Sequence, residues 1–169
     1  AAWGYLTEVL RRAGVFFEEL PPDRLPWLLR RPKAIVLLAG DLPLTAAQRQ
    51  VLATWVGGGG ALVGIGGTSG LDEVFGVTDA RRLAEGWIKV TAQDHPLMAG
   101  LRSSLHVFGG CTVKPGSATS LAELESATAA IKGSAILEHR VGTGRAILLA
   151  PDLLFSIVHI QQGLPVFQD

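Results

Sequence analysis

LTAAQRQVLATWVGGGGALVGIGGTSG, residues Leu44–Gly70, decides the reading of the fold. Thr45 and Gln48 stand at capping-box spacing, so a helix starts there. Val51, Leu52, Trp55 and Val56 give that helix an inner face, and Gly57–Gly60 stop it. Ala61–Ile65 then reads as a buried strand, followed by a sharp turn through Gly66, Gly67, Thr68, Ser69 and Gly70. In many α/β enzymes such a turn, at the carboxyl end of a strand, presents the nucleophile. This one holds no cysteine and no strongly presented serine.

Elements of both kinds extend outward from this stretch. Upstream, Leu6, Val9, Leu10 and Ala13 fall at helical spacing, and Gly14 sits where a cap is expected. Val15–Leu20 reads as a short strand stopped by Pro21 and Pro22, and Asp23–Leu29 as a short helix. Lys33–Leu38 is a continuous apolar run, the pattern of a central parallel strand buried on both faces and adjacent to Ala61–Ile65. Alternation of strand and helix predicts an α/β fold with a mostly parallel sheet. Downstream, Leu71–Phe75 reads as one helical turn, and Trp87–Thr91 as an edge strand. Asp94–Pro96 reads as a turn before a short helix, and Leu105–Phe108 and Thr112–Val113 as strand pieces. Ala135–Val141 and Arg145–Ala150, joined by Gly142-Thr143-Gly144, make a C-terminal β-hairpin. Asp152 caps a last helix ending near Gln162, with Gly163 and Pro165 beyond it. Residues 1–163 are thus expected to form one domain, and Leu164–Asp169 the start of a linker to a further domain.

Bulk composition narrows the function. At 169 residues the chain has the size of a single domain with a proper core, and 48% hydrophobic against 18% charged residues suits strands buried on both faces. Fifteen basic and fifteen acidic side chains cancel, so no global field favours nucleic acid. No apolar run approaches the ~20 residues of a membrane span. The lone Cys111 excludes an internal disulfide and leaves the compartment open.

Four segments in combination resemble the class I glutamine-amidotransferase-like superfamily: AIVLLAGD (Ala34–Asp41), LTAAQRQVLATWVGGGGALVGIGG (Leu44–Gly67), DHPLMAGL (Asp94–Leu101) and GTGRAILLAPD (Gly142–Asp152). Similar segments occur in ThuA-like domains and in the trimerisation domains of some β-galactosidases. The resemblance implies a flavodoxin-like three-layer sandwich. Active members present a cysteine after the strand that Ala61–Ile65 resembles, and here Gly66 takes that place. They also carry a His-Pro-Glu-type motif after the strand that Arg145–Ala150 resembles, and here the chain reads Ala150-Pro151-Asp152. Glutaminase chemistry is therefore not expected. Such folds usually begin with a strand, so one is expected upstream of Ala1 or missing from the sheet. What the resemblance implies is a catalytically silent structural, assembly or ligand-sensing module of a larger, carbohydrate-related protein. Its expected partners are the other domains of the same polypeptide, further copies in a homo-oligomer, and a small-molecule or sugar ligand.

Alternatives rest on single residues. A hydrolase of the same fold would use Ser69, with Gly66 and Gly67 as oxyanion donors, or Cys111 next to His106 or His139. Cys111 reads equally well as a small buried hydrophobe, and the glycines as the needs of a tight turn. A third reading is a small-molecule site formed by Asp41, Gly66, Gly67, Thr68 and Ser69 without any chemistry. No cofactor is implied. His95, His106, His139 and His159 show no metal-ligand spacing, so no metal site is assigned, and His95 reads as a turn residue. Among the tryptophans, Trp55 and Trp27 read as core, Trp87 as the best candidate for exposure, and Trp3 stays open as a sugar-stacking residue.

Overall fold

The computed structural model describes residues 2–162. Helix α1 (Ala2–Arg12) leads into an extended stretch and a 3₁₀ segment, Pro22–Arg30. Then come β1 (Ile35–Ala39), α2 (Ala46–Gly57), β2 (Ala61–Ile65) and the single turn α3 (Asp72–Phe75). Strands β3 (Val77–Arg82), β4 (Glu85–Val90), β5 (Leu105–Phe108), β6 (Cys111–Pro115), β7 (Thr119–Ser126), β8 (Lys132–Val141) and β9 (Gly144–Leu149) follow, and α4 (Leu153–Gln162) closes the described chain. The linker residues Leu164–Asp169, together with Gly163, lie outside the described residues, as does the side chain of Trp3.

The α/β expectation holds, and the mostly parallel sheet does not. The path is β1-β2-β9-β8-β7-β4-β5, and only β1–β2 and β2–β9 pair in parallel. All other pairings are antiparallel, including β3–β6, which sits off the main path and is tied to β8 at Val113↔Ser134. A parallel pair needs a crossover of a dozen residues or more, which α2 provides between β1 and β2. Beyond Gly70 every strand-to-strand link but that from β4 to β5 is too short: Ala127–Ile131 joins β7 to β8 and Gly142–Thr143 joins β8 to β9. The resulting sheet is curled, not a flavodoxin-like parallel sandwich.

Three further readings change. Val15–Leu20 forms no strand. The run containing β1 adjoins β2 as expected, but β1 ends the sheet and leaves Ile35 77% exposed, so it is not buried on both faces. Trp87 lies on β4 between β5 and β7, so the sheet edge falls one strand further out, at β5.

Local chemistry accounts for the well-read part. Thr45 Oγ1 accepts from Gln48 N, and Gln48 Oε1 accepts from Thr45 N, closing both halves of the capping box on α2. Trp55 is buried and donates its indole N–H to Arg31 O at 2.9 Å. Gly60 is required beneath it, because any Cβ there would overlap the indole ring. The hairpin turn docks on the same glycine run, with Thr143 N donating to Gly57 O and Arg145 N to Gly60 O. The two glycine clusters of the sequence are one close contact. Two core clusters result: one joins α2 and the 3₁₀ segment to β1, β2 and β9, the other lies under β4, β5, β7 and β8.

Candidate functional site

The carboxyl ends of β1, β2 and β9 meet at one place. Gly40 N donates to Ile65 O at 2.8 Å, and Gly66 N to Leu149 O at 2.9 Å. Cys111 N donates to Ala150 O and Asp152 N to Gly109 O, so β6 is stitched to the same corner. Asp41, Gly66, Gly67, Thr68 and Ser69 come together here as the sequence suggested, and the geometry binds them mainly to one another.

Asp41 Oδ1 accepts from Ser69 N at 2.8 Å. Ser69 Oγ accepts from Leu42 N at 2.9 Å and faces Gly40 O at 3.4 Å. The hydroxyl is 3% exposed, and no described histidine bonds to it. Ser69 also has φ +52°, a left-handed conformation that its side-chain and main-chain bonds hold in place. Thr68 is buried, and its carbonyl accepts from Leu71 N at the start of α3. A Cβ on Gly67 would lie 2.5 Å from Asp41 Cβ, so only glycine lets the two loops approach.

Gly66 has φ +82°, the strained turn in which a nucleophile elbow holds its side chain. A Cβ built on it would stand 3.3 Å from Cβ and Cγ of Asp152. The two places where the resemblance puts the cysteine and the His-Pro-Glu-type motif, Gly66 and Ala150-Pro151-Asp152, are therefore neighbours in space. One holds no side chain. The other has the buried Ala150 at the histidine's place and Asp152 at the glutamate's, where its Oδ1 accepts from Phe155 N at 2.9 Å and caps α4.

Cys111 borders the same corner and is half-buried. Burial, with added repulsion from the carboxylates of Asp41 and Asp72, pushes its thiol up to about 11. That is the opposite of what a thiolate nucleophile needs. Neither suggested base reaches it. His106 Nε2 meets Glu85 Oε1 at 2.7 Å, and His139 Nδ1 meets Val74 O at 2.8 Å. His95 Nδ1 accepts from Leu97 N and Nε2 meets Glu138 Oε2, which makes it the turn residue it was read to be.

One pair escaped the sequence reading. Ser117 Oγ and His139 Nε2 are 3.0 Å apart, with the imidazole oriented by the Val74 carbonyl. The flanking Gly116 N and Ala118 N both donate to Gly76 O, so neither is free to stabilise an oxyanion beside Ser117. Only the spacing of two loops in space brings this pair together, and no motif announces it. Among the described residues no group of three or more His, Cys, Asp or Glu is placed to hold a metal ion. Trp27, read as core, is 38% exposed, under the Arg31 guanidinium. It lines a groove of about 660 Å³ along Glu18–Arg30.

No protein-family model matches the chain, and no curated protein matches its sequence. Solved structures do. A cytoplasmic protein of Salmonella typhimurium LT2 superposes with a TM-score of 0.69 at 18% identity, over 94% of this chain and 80% of that one. A putative ThuA-like protein of Bacteroides uniformis gives 0.66 at 12% identity, over 94% and 76%. The β-galactosidase of Bacillus circulans sp. alkalophilus gives 0.52 at 20% identity, over 75% of this chain and 22% of that one. The likeness is one of fold.

Proposed function

We propose that the chain is a non-catalytic member of the amidotransferase-like fold, serving as a structural, assembly or ligand-sensing module of a larger, carbohydrate-related protein. The observation that carries this reading is the closeness of Gly66 to Ala150-Pro151-Asp152, with no side chain at the first place and the buried Ala150 in place of a histidine at the second. The committed hydroxyl of Ser69 and the raised pKa of Cys111 support it from the alternative nucleophiles. The carbohydrate setting takes its support from the galactosidase and the ThuA-like protein among the structural neighbours. A small molecule at the strand ends would meet the main chain of Gly66–Thr68, because Asp41 and Ser69 hold each other.

Incubation with glutamine at high protein concentration tests the reading. Ammonia release at the protein-free rate is expected. Turnover above it that survives Cys111→Ala and Ser69→Ala would overturn the non-catalytic assignment, and turnover lost with either variant would move the reading to a hydrolase using that residue.

A further inference from the structure

The second, uncovered face of the antiparallel half-sheet carries chemistry that the strand-end corner does not. Along β4 the buried Gly86, Ile88 and Val90 alternate with Glu85, Trp87 and Lys89 on the outer side. Residues opposite in register share a face. Trp87 is opposite His106 on β5 and Glu125 on β7, and Glu125 is opposite Lys132 on β8. His106, Trp87, Glu125 and Lys132 thus form one row across four strands. Lys89 faces Glu123 in the next row.

The row is ordered. The His106 and Trp87 rings stack with centroids 4.7 Å apart and planes 2° from parallel, and Glu85 Oε1 holds the imidazole at Nε2. Glu125 and Lys132 pair at 3.5 Å beyond the indole. Phe108 on β5 continues the aromatic series toward His159 and Phe155 of α4, which walls one end. Trp87 nevertheless remains 42% exposed, in the middle of polar neighbours.

The plain explanation is a cross-strand pair on a solvated sheet face, which contributes little to stability. It leaves the exposed indole without a use, and the composition of the face selects what it would take. Three carboxylates, Glu85, Glu123 and Glu125, outnumber the amines of Lys89 and Lys132, so a phosphate backbone or other polyanion is disfavoured. An apolar protein surface would bury Lys89 and Glu123, which form no ion pair among the described residues, and desolvation would oppose it. A neutral ring with a C–H face and a rim of hydroxyls meets neither objection. Its C–H face packs on the side of the indole that the stacked His106 ring leaves free, and its hydroxyls take both donors and acceptors.

We propose that the row His106–Trp87–Glu125–Lys132, on the open face of β4, β5, β7 and β8, binds a neutral carbohydrate chain, with Trp87 as the stacking platform. Strands lie ~4.8 Å apart, so the row spans roughly 14 Å, which suits a chain of sugar units better than a single ring. The inference rests on the non-catalytic reading only in expecting binding rather than turnover, and the two fail separately. Ammonia release from glutamine would overturn that reading and leave this face untouched.

The test titrates soluble β-linked gluco-, galacto- and manno-oligosaccharides into a Trp27→Phe background, which removes the other described exposed indole. Indole emission and calorimetry report binding. Saturable binding of one class is expected, about tenfold weaker in Trp87→Ala and weakened in Glu125→Gln, with both variants melting close to the parent. If Trp87→Ala does not fold, Glu125→Gln and His106→Ala carry the test. Binding that is unaffected by these substitutions, or no binding by any of the three classes, overturns the proposal. So does self-association in sedimentation that depends on Trp87 and not on sugar, which would assign the face to a second copy.

Discussion

Replacing Asp41 and Ser69 together by alanine removes the bonds that clasp the loop after β1 to the turn after β2. The carboxylate bond to Ser69 N is charge-assisted and contributes about 2 kcal/mol, and the Ser69 Oγ bond to Leu42 N about 1 kcal/mol. Two partly buried amides lose their partners, which adds roughly another 1 kcal/mol. About 4 kcal/mol at roughly 2–4 °C per kcal/mol for a domain of this size predicts a melting point about 10 °C lower. Ser69→Gly separates the two contributions to this figure. It deletes the same hydroxyl but relaxes the left-handed φ of +52°, so it should lie about 1 kcal/mol above Ser69→Ala. Differential scanning calorimetry of the four proteins, with and without a sugar and metabolite panel, reads both effects. A double variant melting within about 2 °C of the parent would refute the clasp, and would return Asp41 and Ser69 to a ligand that raises the parent's melting point alone. A Ser69→Gly variant as unstable as Ser69→Ala would refute the strain.

Other outcomes follow from single contacts. With its pKa near 11 instead of 9.0, Cys111 carries about a hundredfold less thiolate at neutral pH than an ordinary cysteine. Its alkylation rate should still be rising above pH 9, and Asp41→Asn or Asp72→Asn should raise the rate at pH 8. The Thr112 hydroxyl is buried without a hydrogen-bond partner among the described residues, so Thr112→Val should raise the unfolding free energy by about 1 kcal/mol in chemical denaturation. Asp152→Ala removes the cap on α4 and should cost about 1 kcal/mol, with loss of helical signal by circular dichroism. Gly60→Ala drives a methyl into the Trp55 ring and should destabilise by roughly 1–3 kcal/mol, with a shift in buried indole emission.

The legible part of the fold is the part governed by neighbours in sequence. The capping box, the glycine stop after α2, the apolar run of β2 and the β8–β9 turn each depend on residues a few positions apart, and each appears where it was read. The parallel expectation failed because it extended one strand–helix–strand unit over the whole chain. Thr119–Ser126 alternates in burial as a half-exposed strand does, and reading it that way would have shown an antiparallel half. Lys33–Leu38 misled for a related reason. An apolar run reports that a strand suits a dry environment, whereas its place in the sheet depends on which strands pair with it, and β1 has β2 alone.

The strand-end corner shows why a site is harder to read than a fold. Gly66 and Ala150-Pro151-Asp152 are far apart in sequence, and only the parallel pairing of β2 with β9, Ile65 against Leu149, brings their ends together. Given that pairing, the absence of a cysteine at one and a histidine at the other becomes a single fact about one location. The φ of +82° at Gly66 then has a physical meaning. The turn has a conformation that a side chain would strain, and glycine adopts it without that strain. Gly66→Cys with Ala150→His should therefore be less stable than the parent, since the new Cβ at position 66 meets Asp152 at 3.3 Å and Ala150 is fully buried. A doubly substituted protein as stable as the parent would show that the corner has room for catalytic side chains, and that their absence has no steric basis.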